Sequence, residues 1–273
     1  MNDQPDRSDR WRRLLDLLAE HGRLTVSQTA TALGVSEATV RRDFTDLARQ
    51  QLVTRTHGGV VATSVAYDLP ARYRASAEHD AKERIAAAAA ELVNAGTVVG
   101  FNGGTTTSAT ARRLAAAIEP TRSAAEPALT VVTNALNIAA EMVLRPHVRT
   151  VSLGGVARPQ SYEMTGPLAS MVLDELWLDL LVLGVDGLSA DGGASCEHDG
   201  EAGINAKMVQ RAERVVIVAG ADKIGRRAFA RICAVDQVDV LVTDADAPRD
   251  EVAALEAAGV DVRIAGQQTS EMA

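Results

Sequence analysis

Aromatic residues are scarce: two Trp, three Tyr and three Phe make up 3% of 273 residues. With 47% of the chain hydrophobic, a sizeable core is possible, but it has to be made of Ala, Val and Leu. Cysteine is almost absent. Cys196 and Cys233 lie far apart and neither has a CxxC partner, which points to a reducing compartment and away from structural zinc. No run of about 18 apolar residues occurs, so no membrane-spanning helix is expected. The polar start Met1-Asn2-Asp3-Gln4-Pro5 predicts no signal peptide. The expectation is a soluble, cytoplasmic protein with neither metal nor cofactor. Net positive charge is lacking too, at −8 overall, which at first argues against nucleic acid. The charge is uneven, however: residues 10–60 carry +3 and residues 61–273 carry −9. A mildly basic head on an acidic body leaves the head to meet phosphates.

The length allows two domains of ordinary size. Residues 1–9 read as a disordered tail and 10–61 as the head. In the head, Trp11, Leu14, Leu15 and Leu18 mark an amphipathic helix that stops at Gly22. A second helix over 25–33 is opened by Thr25 or Ser27, and Gly34 supplies a tight turn. Ser36 is a good N-cap for a third helix over 36–50. Val40, Phe44 and Leu47 form its buried stripe, which turns Glu37, Ala38, Thr39, Arg41 and Arg42 outward. A helix-turn-helix presents base-reading and phosphate-clamping side chains at that place. Asp43 is expected to orient an arginine or cap locally, because phosphate repels a carboxylate. The run 52–56, the tip His57-Gly58-Gly59 and Val60-Val61 predict a β-hairpin wing. Its Arg55 and His57 could touch phosphate or the minor groove. Thr25 and Ser27, at the start of the second helix, join the candidate DNA-facing set.

Residues 62–79 contain no convincing periodic run and Pro70 breaks any helix there, so they read as a linker. A helix follows over 80–94. Beyond it, short apolar runs alternate with helical stretches. The runs at 98–101, 129–132, 150–153, 180–183, 215–218, 240–242 and 260–264 predict a mainly parallel sheet with helices on both faces. Ligands of such sheets bind beyond the carboxyl ends of the strands. There the chain places Asn102-Gly103-Gly104-Thr105-Thr106-Thr107, ahead of a helix over 108–118. Two glycines, three hydroxyls and a helix N-terminus can hold a phosphate without a cation. No Gly-Lys-Ser/Thr follows, so no ATPase is expected. Other strand ends are Thr133-Asn134, Gly154-Gly155 and Gly184-Val185-Asp186-Gly187. Asp186 could accept from sugar hydroxyls, and Lys223 could supply a cation. Each of these can be read as a mere turn residue; four such strand ends in one sheet favour a phosphorylated polyol site. The segment Cys196-Glu197-His198-Asp199-Gly200-Glu201 lacks metal-ligand spacing and reads as a solvated loop bordering the site.

The pattern Ser36-x-x-Thr39-Val40-Arg41-Arg42-Asp43-Phe44, followed by Arg55-Thr56-His57-Gly58-Gly59, resembles the DeoR family of bacterial transcriptional regulators. Looser matches in the body are Gly103-Gly104-Thr105-Thr106, Val132-Thr133-Asn134, Leu153-Gly154-Gly155, Thr165-Gly166-Pro167, Gly184-x-Asp186-Gly187, Asp222-Lys223-x-Gly225 and Thr243-Asp244. The resemblance implies operator binding by Ser36, Thr39, Arg41 and Arg42. It also implies a C-terminal Rossmann-like α/β domain over 80–273 that looks like ribose-5-phosphate isomerase and senses a phosphorylated sugar. The threonine loop, Asn134, Gly155, Asp186 and Lys223 would line that site. One departure is Gly220, where the family often has Asp. The expectation is a homo-oligomeric repressor of sugar-metabolism genes bound to double-stranded operator DNA. Two alternatives stay open: a sugar-phosphate isomerase with a DNA-binding head, using Asp186 or Glu201 as base, and an effector-free architectural DNA binder.

Overall fold

The apolar runs of the body pair side by side as seven parallel strands. They are β4 (Val98–Phe101), β5 (Leu129–Thr133), β6 (Val148–Ser152), β9 (Leu180–Leu183), β12 (Val215–Val218), β14 (Val240–Thr243) and β15 (Asp261–Ile264), in the order β15-β14-β12-β9-β4-β5-β6. The remaining strands are β1 (Arg23–Thr25), β2 (Val53–Thr56) and β3 (Gly59–Ala62) in the head, and β7 (Val156–Ala157), β8 (Met164–Thr165), β10 (Gly187–Ser189), β11 (Gly193–Cys196) and β13 (Ala230–Cys233) in the body. The computed structural model describes residues 10, 11, 13, 14, 17, 18, 23–49, 53–56, 58–62, 76–118 and 127–266. Two units result, Met1–Asp80 and Ala81–Ala273. The tail over 1–9, most of the linker and His57 lie outside the described residues.

In the first unit, α1 (Val26–Leu33) and α2 (Glu37–Arg49) form the helix-turn-helix. Thr25 is the cap of α1, its hydroxyl accepting the Gln28 N–H at 3.3 Å. Gly34 ends the helix with φ +64, the left-handed conformation that a Cβ disfavours. Ser36 caps α2 by accepting the Thr39 N–H at 3.2 Å. Leu14, Leu18, Leu24, Val40, Phe44, Leu47, Val53 and Val60 build one buried core. The wing holds a strand with no local sequence signal: β1 pairs with β3, Leu24 opposite Val60, so the sheet runs β1-β3-β2. Gly59 sits so close to the Leu24 carbonyl that a side chain there has no room.

In the second unit, strand residues alternate between two cores. Leu180 and Val182 join Phe101, Val131 and Val216 on one face, packed by α3 (Ser76–Ala90), α4 (Thr105–Ala117) and α5 (Leu136–Met142). Leu181 and Leu183 join Ile217 and Leu241 on the other, packed by α6 (Pro167–Asp174), α7 (Asp199–Gln210) and α8 (Arg249–Ala257). Burial on both faces is why these strands read as unbroken apolar runs. The chain winds outward from β4 to β6, then returns to start again at β9 on the other side of β4. The strand order therefore reverses between β4 and β9, the place where open α/β sheets bind ligands.

Candidate functional site

In the first unit, Ser36, Glu37, Ala38, Arg41 and Arg42 are exposed on α2, with Thr39 half-buried beside them. Arg41 forms an i,i+4 pair with Glu37 at 2.9 Å; so exposed a pair is easily exchanged for phosphate. Arg42 has no ion-pair partner among the described residues. Asp43 is 3% exposed and takes the Arg10 guanidinium at 2.7 and 3.1 Å and the Trp11 indole N–H at 2.8 Å. It fixes the first helical segment to α2 from a buried position. Arg55 donates to Thr45 Oγ1 at 2.8 Å and to the Arg41 carbonyl at 3.4 Å, pinning the wing strand to α2. Thr25 is half-buried and Ser27 exposed at the start of α1.

In the second unit the switch point is held by one side chain. Asn102, 2% exposed, accepts the Gly184 N–H at 2.7 Å and donates to the Gly184 carbonyl at 3.0 Å. It thereby ties the end of β4 to the end of β9. Gly104 follows with φ +131 and is the N-cap of α4. The helix starts at Thr105, three residues earlier than the sequence suggests, so the threonines form its first turn. Their N–H groups have no carbonyl one turn back to bond, and with the helix dipole they favour an anion. Thr105 is exposed and Thr106 half-buried. Thr107 is fully buried and spends its hydroxyl proton on the Gly104 carbonyl at 2.9 Å. Thr133 is likewise buried, accepting the Ala135 N–H at 3.0 Å.

The turn rests on a carboxylate that sequence reasoning missed. Glu163, 4% exposed, accepts the Gly103 N–H at 3.0 Å through Oε1 and the Asn134 amide at 2.9 Å through Oε2. Gly103 is a necessity here: a Cβ would lie 2.6 Å from Glu163 Cγ. Burial pushes the Glu163 carboxyl up to about 7, and Glu201 pushes it the same way. Glu201 itself takes Arg158 at 2.9 Å and the Ser161 hydroxyl at 2.5 Å. The expected solvated loop over 196–201 is therefore corrected. Cys196 ends β11 and is buried, and Glu201 is 7% exposed on the first turn of α7, because α7 packs inward beside β8 and carries its acid with it. No signal marked Glu163: it lies between short strands, and its partners come from positions 60 and 29 residues away.

Gly154 and Gly155 have φ +72 and +112, and a Cβ on Gly155 would lie 2.6 Å from the Thr165 carbonyl. They turn the chain from β6 into β7, which pairs with β8 just past Glu163. On the β9 side, Asp186 is half-buried, with Oδ2 accepting the Glu197 N–H at 3.1 Å and Oδ1 3.9 Å from the Lys223 ammonium. Gly187 is buried in β10, packed against the Arg226 carbonyl. Gly220 precedes the turn Ala221–Lys223, and the neighbouring Asp244 accepts the Ala221 N–H at 2.9 Å. Gly103 and Asn134 thus meet at Glu163, Asn102 joins the turn to Gly184, and Asp186 and Lys223 face each other just past the ends of β9 and β12.

Two family descriptions cover the chain: a DeoR-like helix-turn-helix domain over residues 10–65 and a DeoR C terminal sensor domain over residues 77–245. The chain belongs to the DeoR family. It is 32% identical to the HTH-type transcriptional regulator GlpR of Haloferax volcanii, over 93% of this chain and 96% of that one. It is 28% identical to the glycerol-3-phosphate regulon repressor of Escherichia coli K12, over 86% and 90%. Ribose 5-phosphate isomerase A of Methanocaldococcus jannaschii shares 18% identity over 54% of this chain and 55% of that one, with a TM-score of 0.37. As a DeoR-family member with an intact helix-turn-helix, the protein is a DNA-binding transcriptional regulator. Among the described residues no helix is long and apolar enough to cross a membrane.

Proposed function

We propose that this regulator represses sugar-metabolism genes in the cytoplasm and is modulated by a phosphorylated sugar bound at the β4–β9 switch point. The observation that carries this reading is the Gly103-Gly104-Thr105 turn. It aims the start of a 13-residue helix outward at the place where the sheet order reverses. Asp186 and Lys223, across the opening, suit hydroxyls and phosphate. Effector binding would shift the population away from the DNA-competent arrangement, with a coupling of about 1–3 kcal/mol. One winged helix offers too small an interface for specificity, so at least a dimer on repeated half-sites is expected.

The same geometry supports binding without turnover. An isomerase needs a carboxylate open to the substrate carbon. Both Glu163 oxygens are engaged by protein donors, and Glu201 is taken by Arg158 and Ser161; the half-buried Asp186, with Oδ2 on the Glu197 N–H and Oδ1 3.9 Å from Lys223, is the acid that the turnover assay tests. A thermal-shift screen of phosphorylated sugars against their unphosphorylated parents tests the reading. A ligand at about 100 times its Kd stabilises by roughly 2.7 kcal/mol. A response confined to phosphates supports it, and equal responses from the parents refute it. Isomerised product in the same mixtures would refute the absence of turnover.

A further inference from the structure

Two buried carboxylates packed together are costly unless one is neutral. Glu201 has Arg158 as a counter-charge. Among the described residues Glu163 has neutral donors: the Gly103 N–H, the Asn134 amide and the Asn205 amide. The groups facing it are Glu201 and Asn205 from α7, Cys196 from the end of β11, and Ser161 and Arg158 from the segment before β8. Burial drives the Cys196 thiol up to about 11, so it adds no charge near neutrality.

The two amides have a further property. Asn134 and Asn205 are 0% and 1% exposed, and the Oδ1 atom of each has no hydrogen-bond partner among the described residues. An amide turned over end for end presents oxygen where it had presented NH2, at nearly unchanged shape. The nest can therefore be completed in two charge states. A Glu163 carboxylate receives amide N–H groups; a Glu163 carboxylic acid gives its O–H to the otherwise idle oxygen of Asn134 or Asn205.

We propose that Glu163 is the positioning residue of the anion turn, holding Gly103 in place, and that its proton affinity rises, drawing proton from solvent, when a dianion settles on the turn. The inference rests on the turn being the anion site. A bound dianion at the start of α4 stands next to Gly103 and disfavours a second negative charge on the carboxylate that Gly103 touches. The new bond is O–H at Oε2; the buffer loses the proton, and the Gly103 N–H to Oε1 bond is kept. Effector binding is then tighter in the acid limb of the neutral range.

Equilibrium dialysis of the full chain with radiolabelled sulfate, at fixed ionic strength and at pH 6 and pH 8, tests this. Sulfate is a dianion at both values, so any pH dependence belongs to the protein. A tenfold gain in proton affinity on binding makes sulfate about fivefold weaker at pH 8 than at pH 6. Glu163→Gln should bind with no such slope. A purely structural role would instead shift affinity equally at both pH values. A flat wild type, or a slope that survives in Glu163→Gln, overturns the proposal while leaving the anion turn standing. A slope abolished by Glu201→Gln alone overturns the assignment to Glu163. No sulfate bound by the wild type at either pH removes the anion turn and this proposal with it. Should the variants fail to fold, calorimetry of the wild type in two buffers of different ionisation heat reads the proton directly. About 0.4 proton is expected at pH 7, and none overturns the proposal.

Discussion

Replacing Glu163 by Gln should make the C-terminal unit more stable at pH 8 and leave it nearly unchanged at pH 5. The carboxyl is raised from 4.5 to about 7 in the folded protein, first by burial and then by Glu201. A carboxyl raised by folding contributes stability below its unfolded value, and that contribution is lost as pH rises through the folded value. The wild type should therefore lose stability between about pH 4.5 and pH 7. At about 1.4 kcal/mol for each tenfold change in proton affinity, the ceiling is roughly 3 kcal/mol at pH 8. Gln cannot ionise. Its Oε1 can still accept the Gly103 N–H, and its Nε2 can meet the idle Oδ1 of a turned Asn134. For a unit of this size each kcal/mol moves the melting midpoint by about 2–4 °C, so a gain on the order of 6–12 °C is the upper bound. Scanning calorimetry of the full chain at pH 5 and pH 8 reads it. A variant less stable than wild type by the same amount at both pH values would show that the buried acid is a stabilising carboxylate, and would refute the reasoning.

Other expectations follow from the same geometry. Arg42→Ala should weaken operator binding and lower the slope of log K against log salt by about one, in gel-shift titrations at several salt concentrations; an unchanged slope would remove α2 from the DNA. Asn102→Ala should destabilise the second unit by about 2–4 kcal/mol in urea titrations, because the Gly184 N–H and C=O are left buried without their partner. Phe44→Ala, in the core of the first unit, should cost about 3–5 kcal/mol there and abolish operator binding. Gly104→Ala, forced to hold φ +131, should cost the phosphate-dependent thermal shift more than it costs overall stability.

The helix-turn-helix was legible because its signals are local. Thr25, Gly34 and Ser36 punctuate the helices by their own backbone chemistry, and Val40, Phe44 and Leu47 keep helical spacing whatever surrounds them. The inner parallel strands β4, β5, β9, β12 and β14 were legible for a related reason: burial on both faces leaves an apolar run that needs no partner to be seen. The missed elements lack such runs. β1 has three residues and exists because β3 is beside it. β10, β11 and β13 form a small antiparallel sheet from Gly-, Ser- and Cys-containing segments, a short hairpin that β13 joins from more than thirty residues away.

Neighbouring residues alone thus spell out the helix-turn-helix and the glycine- and threonine-rich turn ahead of α4. Tertiary structure alone decided three things. It placed β9 beside β4, with the turn at the point where the strand order reverses. It buried Thr107 and Thr133 and left Thr105 outward. And it brought Glu163 beneath Gly103 with Glu201 beside it. Spacing cannot foretell such a pair, because its energy lies in desolvation and in charge proximity, which exist only once distant segments have closed over them.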